Sequence, residues 1–224
     1  NAAESCKQCH TAGELKQDPC TSAMIDSQGN DVSPFTKWKH STMANALNDP
    51  YFNAVVEEET HVFPHLKGFI EDTCLSCHAP MAYTHAHQTG ESLVKDNTTF
   101  VLEDAGYPFA SAIEDQHAWE AISCTTCHQI QPDDFGNVAS MSGHYKINSV
   151  TENQDPANGT TDARPHIFGP FNTPVTGPMT NNTDYTPEYA PHISESAMCA
   201  TCHLNYGPLN LIILGRPFLL TIRL

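Results

Sequence analysis

The sequence predicts a mostly irregular chain with short α-helices, whose own side chains form only a modest core. Three observations predict it. Hydrophobic residues make up 39% of the 224 residues, a low share for a chain long enough to bury a sizeable interior. Sixteen prolines and twelve glycines are spread along the chain and interrupt every long regular run. The pentapeptide Cys-x-x-Cys-His occurs four times, at Cys6 to His10, Cys74 to His78, Cys124 to His128 and Cys199 to His203.

The pentapeptide has a chemical reason. Two thiols three positions apart on a helical turn share a face, so each can form a thioether with one vinyl group of the same haem. The His that follows is then placed to bind the iron from one side. At this chain's Cys and His frequencies about 0.02 such pentapeptides are expected by chance, so four are not accidental. Structural zinc also uses paired Cys-x-x-Cys, but two pairs serve one ion and nothing in zinc chemistry requires a His after every second Cys. A thioredoxin-like redox pair occurs once, at the start of a helix in an α/β unit that this sequence does not suggest. A disulfide scaffold accounts for eight cysteines but not for four histidines.

The expected cofactor is therefore four covalently bound haem c groups. Cys6, Cys9, Cys74, Cys77, Cys124, Cys127, Cys199 and Cys202 would hold the porphyrins, and His10, His78, His128 and His203 the irons. Each porphyrin is a large flat apolar body, so the haems would form most of the core of one tetrahaem cytochrome c domain over residues 1–224.

Taken in order, helical spacing is read at residues 35–47 and 51–59, and then just before the second and third motifs, at 66–77 and 111–127. Strand patterns are few. Residues 148–182 are dense in Asn, Thr, Asp, Pro and Gly and read as an extended loop. The unequal distances between motifs make a loose repeat of haem units, not a solenoid. The last stretch, 209–224, is rich in Leu and Ile, and Gly215-Arg216-Pro217 would split it into two short apolar strands. It reads as a terminal hairpin packed on a haem edge, or as a strand added to a neighbouring subunit. Asn97, Asn158 and Asn181 open N-glycosylation acceptor patterns, which chance also supplies in an Asn- and Thr-rich chain. Cys20, the ninth cysteine, reads as a buried or capped thiol.

The formal charge is −16, with seven Lys and three Arg. Such a surface excludes nucleic acid and anionic membranes as partners and favours solubility and cationic ones. No stretch reaches the length of a membrane span, and no basic-then-apolar leader opens the sequence. Because haem is joined to this motif outside the cytoplasmic membrane, the expectation is a mature exported protein, extracellular or at the cell surface, alternatively periplasmic. The run Glu57-Glu58-Glu59 reads as a solvated helix face.

An iron bound by its motif His keeps one open face, and what fills it decides the chemistry. A second His or a Met makes an electron carrier; an open site makes a catalyst or gas binder. Nine histidines lie outside the motifs: His40, His61, His65, His85, His87, His117, His144, His166 and His192. His117 and His192 each stand seven residues before the first Cys of a motif. His40 follows Trp38-Lys39 on an expected helix, where the aromatic ring would pack on a porphyrin. His65, which flanks Pro64 together with His61, completes the expected set, with His87 and His144 close behind. Six methionines offer an alternative that would raise the reduction potential, but with His in surplus bis-histidine ligation at all four irons is the simpler reading.

The segments between the motifs resemble the multihaem cytochrome c family. The resemblance is carried by Ser41-Thr42-Met43-Ala44-Asn45-Ala46 with Asp49-Pro50-Tyr51-Phe52, by Cys74 through Ala82, by Cys124 through Ile130, by Phe168-Gly169-Pro170-Phe171, and by Pro191-His192-Ile193 before the last motif. Within that family the chain looks most like the extracellular tetrahaem nanowire cytochromes of the OmcE type and their archaeal relatives. The resemblance spans most of residues 1–207, and the region after Tyr206 departs from it. It implies irregular structure with short helices, bis-histidine haems, and head-to-tail polymerisation in which one axial His is donated by an adjacent subunit. It strengthens His40 and His192 as ligands. An independent hint of assembly is that the first motif opens at Cys6 and the last closes at His203. Both lie close to the ends of this sequence, which would leave haem edges uncovered for contact between subunits.

The function expected is electron transfer by a filament-forming cytochrome that passes electrons to redox proteins or extracellular acceptors, with no substrate to bind. A monomeric periplasmic carrier and a multihaem reductase of a small nitrogen or sulfur compound are the alternatives.

Overall fold

The computed structural model describes residues 2–12, 24–93, 99–101, 106–147 and 164–204. The chain groups into two compact units, 1–124 and 125–224.

In the first unit, α1 (Ala2–Lys7) carries the first cysteine of the first motif. A tight loop follows, in which the Asp26 carboxylate accepts the N–H groups of Gln28 (2.9 Å) and Asn30 (2.8 Å) and so closes the bridge between Ile25 and Asp31. Pro34 opens α2 (Pro34–Lys39), its fixed φ suiting a first helical turn, and a single 3₁₀ turn, Met43–Asn45, follows. The Asp49 side chain accepts the Tyr51 N–H at 2.9 Å and Pro50 starts α3 (Pro50–Val62). Phe52 and Val56, one turn apart on α3, face inward. A 3₁₀ turn at Pro64–Leu66 leads into α4 (Lys67–His78), which ends on the second motif, and Pro80 opens α5 (Pro80–Thr89). Gly90, at φ 74°, terminates α5 in the left-handed conformation that glycine adopts without strain. Strands β1 (Glu91–Leu93) and β2 (Thr99–Val101) pair antiparallel. Helix α6 (Phe109–Glu114) then packs against α4, as α3 and α5 do.

The core of this unit joins Leu47, Phe52, Val56, Leu75 and Tyr107 to seven alanines: 46, 79, 82, 86, 112, 118 and 121. A methyl contributes about 0.8 kcal/mol on burial, against roughly 1.5–3 for a Leu or Phe side chain. Helices meet here over small side chains, and several large ones stay outside: Phe69 is 48% and Trp119 45% exposed.

In the second unit, α7 (Cys124–Gln129) carries the third motif, its first residue being the last of the first unit. Ile130 bridges Ile147, and Gln131 N–H reaches the Lys146 carbonyl at 2.8 Å. Strand β3 (His166–Gly169), helix α8 (Thr176–Asn182) and strand β4 (Thr186–Tyr189) form a small crossover in which the strands pair parallel, His166 opposite Thr186 and Gly169 opposite Tyr189. A 3₁₀ turn at Pro191–Ser194 leads to α9 (Ser196–His203), which ends on the fourth motif.

Three expectations are corrected. The helix read over 111–127 is two helices separated by irregular chain, because the Asp115 side chain takes the His117 N–H at 2.8 Å and Ala121 sits at φ 46°. The described part of 148–182 is not extended loop: it holds β3 and α8. There Thr180, Asn182 and Thr183 side chains donate to carbonyls three or four residues back and so tolerate a helical turn. Glu59 does not share the solvated face of Glu57 and Glu58; its Oε2 is buried without a hydrogen-bond partner, and burial raises its pKa. The helix 35–47 is α2 plus a 3₁₀ turn, while 51–59 and 66–77 are α3 and α4. The tail 209–224, Cys20, Asn97 and Asn158 lie outside the described residues; Asn181 is exposed on α8.

Candidate functional site

Each motif lies on a helix or at its end, so that the two cysteines share a face as the spacing requires. Cys9 and Cys199 are exposed, the other six motif cysteines are half-buried, and all eight are free thiols. In the first motif His10 N–H returns to the Cys6 carbonyl (2.9 Å), and the His10 carbonyl takes the N–H of Phe35 at the head of α2 (3.0 Å).

The second and third motif histidines show how the chain orients an imidazole. His78 Nδ1 lies 3.1 Å from the Ala46 carbonyl, and the Phe52 ring stacks on it, 3.6 Å between centroids and 3° from parallel. Burial lowers the His78 pKa, which favours the neutral ring. A carbonyl can only accept, so Nδ1 carries the proton and Nε2 keeps its lone pair. His128 repeats the device, with Nδ1 2.6 Å from the Phe168 carbonyl. An outer hydrogen bond of this kind fixes the tautomer and aims the other nitrogen at a metal. Burial first, then Cys77 and the carboxylates Glu59 and Glu71, pushes the Cys74 thiol up to about 12.

Of the expected distal set, His117 is held in the same way. Its Nδ1 is 3.2 Å from Asp115 Oδ1, which also accepts its backbone N–H, while the Tyr107 hydroxyl donates to Oδ2 at 2.8 Å. Burial pushes the Asp115 carboxyl upward, but the hydrogen bonds from His117 and Tyr107 outweigh it and hold the pKa below the ordinary range. His85, one face of α5 away, stacks on His117 with centroids 4.3 Å apart. Sequence reasoning did not single out His85, because α5 was not read as a helix; the signal was the small-residue pattern Ala79, Ala82, Ala86.

His192 is buried, 5% exposed, with its ring edge-on to Phe135 and Phe168. Its Nε2 donates to the Ile130 carbonyl at 2.9 Å, so Nδ1 is the nitrogen left over. His40 caps the C-terminus of α2 and is exposed; next to it the Trp38 indole donates to the Ile122 carbonyl (2.7 Å), two residues before the third motif. His61 on α3 and His65 in the following turn are exposed on the approach to α4. His87 is engaged by Asp72 through Nε2 at 2.8 Å, and His166 by Glu188. His144 is exposed with Nδ1 2.7 Å from the Met141 carbonyl, in a turn whose Ser142 and Gly143 N–H groups cap α9 at Leu204 and Thr201.

Among the described residues, no group of three or more His, Cys, Asp or Glu side chains is arranged to hold a bare metal ion. A haem iron asks for less, because the porphyrin supplies four nitrogens and the protein only one or two. Accessible thiols in pairs and imidazoles anchored through Nδ1 fit that group. Among the described residues no helix is long and apolar enough to cross a membrane. No family model matches the chain, and neither a curated protein nor a solved structure matches it, so the resemblance rests on the motif-flanking residues themselves.

Proposed function

We propose that this chain is an exported tetrahaem c-type cytochrome that carries electrons, assembled head to tail into an extracellular filament. The observation that carries the reading is the fourfold Cys-x-x-Cys-His motif, and the Nδ1 anchoring of His78 and His128 supports it. When bound, each haem supplies a one-electron iron couple. The chain's part is to fix position through eight thioethers, to present His10, His78, His128 and His203 on one side of the irons, and to offer a second imidazole on the other. His117 is the distal candidate whose described geometry suits that task best; His40, His65 and His192 complete the set. Six-coordinate, low-spin iron leaves no site for a substrate.

The exported protein should have a mass four haem equivalents above that of its own polypeptide, and its oxidised form should give only low-spin ferric EPR signals. A mass equal to the polypeptide alone defeats the reading. Any high-spin signal in intact protein favours a reductase with one open iron. Electron microscopy at high concentration separates filament from carrier: uniformly monomeric particles would leave a soluble carrier that docks cationic partners through its acidic surface.

A further inference from the structure

The first and third motifs are far apart in sequence and tied together in the first unit. The Ala3 N–H at the start of α1 donates to Glu120 Oε2 at 2.9 Å, a buried bond spanning 117 residues. Glu120 itself is 9% exposed. Beyond it, the Cys6 and Cys124 side chains lie within hydrogen-bond reach of each other. Helix α2 forms a second, independent tie. Its Phe35 N–H holds the His10 carbonyl at 3.0 Å, and its Trp38 indole holds the Ile122 carbonyl at 2.7 Å. On the other flank, Ser123 Oγ donates to Met81 Sδ at 2.6 Å, which fixes the residue just before Cys124.

We infer that Glu120 pins the start of the first motif beside that of the third, so that Cys6 and Cys124 are neighbours and the first haem attachment lies next to the third, out of sequence order. The inference rests on the haem reading proposed above. A thioether sulfur has no proton to share, so once both cysteines carry haem it is the Glu120 bond and the two α2 contacts that would keep Cys6 beside Cys124, and with them the porphyrin edges attached to each. Glu120 acts as a positioning residue: its carboxylate holds the backbone of α1 at its first turn. Glutamine at the same place retains an oxygen for the Ala3 N–H, whereas alanine does not.

The test uses the haem-loaded, fully reduced protein labelled with ¹³C only at cysteine, in solid-state NMR, which serves filament and monomer alike. Beyond contacts within each motif, one Cβ–Cβ cross-peak is expected that disappears in both Cys6→Ala and Cys124→Ala, since in each variant the haem is still held by its second cysteine and its His. The same peak should be lost in Glu120→Ala and kept in Glu120→Gln. Four haems by mass with no such shared peak overturn the inference and leave the haem reading standing; a mass without haem overturns the reading itself. Should Glu120→Ala fail to fold, the two cysteine variants still decide the contact.

Discussion

His117 and His192 stand at the same offset from a motif, yet the protein treats them in opposite ways. His117 is half-exposed and polar-bound, its Nδ1 on a carboxylate that is itself held by Tyr107, which leaves Nε2 to solvent or a ligand. His192 is sunk between two phenylalanines and turns Nε2 to a backbone carbonyl. Equal spacing therefore does not decide which nitrogen is offered. The partner that claims the other nitrogen decides it: for His117 the neighbouring Asp115, for His192 the distant Ile130 carbonyl.

The strongest discrimination comes from replacing each His by Ala in the haem-loaded protein. Both variants are expected to turn one haem high-spin by EPR. His192→Ala should in addition lose about 2–4 kcal/mol of stability, because it empties an apolar slot and strands the Ile130 carbonyl. His117→Ala, at a half-exposed site, should lose about 1 kcal/mol. Four low-spin haems after His192→Ala would make that residue a packing element and end the parallel.

Asp115→Ala should lower stability by about 2 kcal/mol, since it leaves the buried Tyr107 hydroxyl without its acceptor. It should also broaden the EPR signal of the haem that His117 serves; an unchanged spectrum would mean that Asp115 does not orient the ring.

Smaller effects are expected from Tyr107→Phe and Phe168→Leu, each costing about 1 kcal/mol in denaturant melts. The pattern of coupling matters more than the size. Tyr107→Phe should be non-additive with Asp115→Ala, and Phe168→Leu with His192→Ala, because each pair shares one contact. Additivity in either cycle would separate the ring from its supposed support.

The smallest effect sets the background of local fraying. The Asn30 side-chain amide, then the Asn30 backbone N–H, hold the Asp26 carboxyl below its ordinary pKa. A depressed pKa contributes stability that is present above the unfolded value and lost as pH falls through the folded one. Hydrogen exchange at Gln28 and Asn30, corrected for intrinsic rates, should therefore quicken as pH falls below the ordinary carboxylate range. A flat profile would show that the Asp26 turn adds nothing.

Helices α3 and α4 were legible because their signals are local: Asp49-Pro50 at one start, Pro64 between them, and large apolar residues at helical spacing. Helix α5 was not, because its inward residues are alanines, which carry little hydropathy contrast. The break between α6 and α7 was hidden because a side chain, Asp115, takes a backbone N–H that helical spacing assigns to a carbonyl. The parallel pairing of β3 and β4 needs partners on both sides of α8, and neither four-residue strand announces the other.

By itself the sequence determines the four places where two thiols and an imidazole meet, because Cys, Cys and His at three- and one-residue steps need only one helical turn to converge. Tertiary structure alone decides how His78, His128 and His192 are poised. The carbonyl that orients His78 is 32 residues away, that of His128 40, and the one that occupies His192 62. Hydrogen-bond acceptors of the backbone are present at every residue. No pattern of side chains marks which of them folding will bring to a given ring.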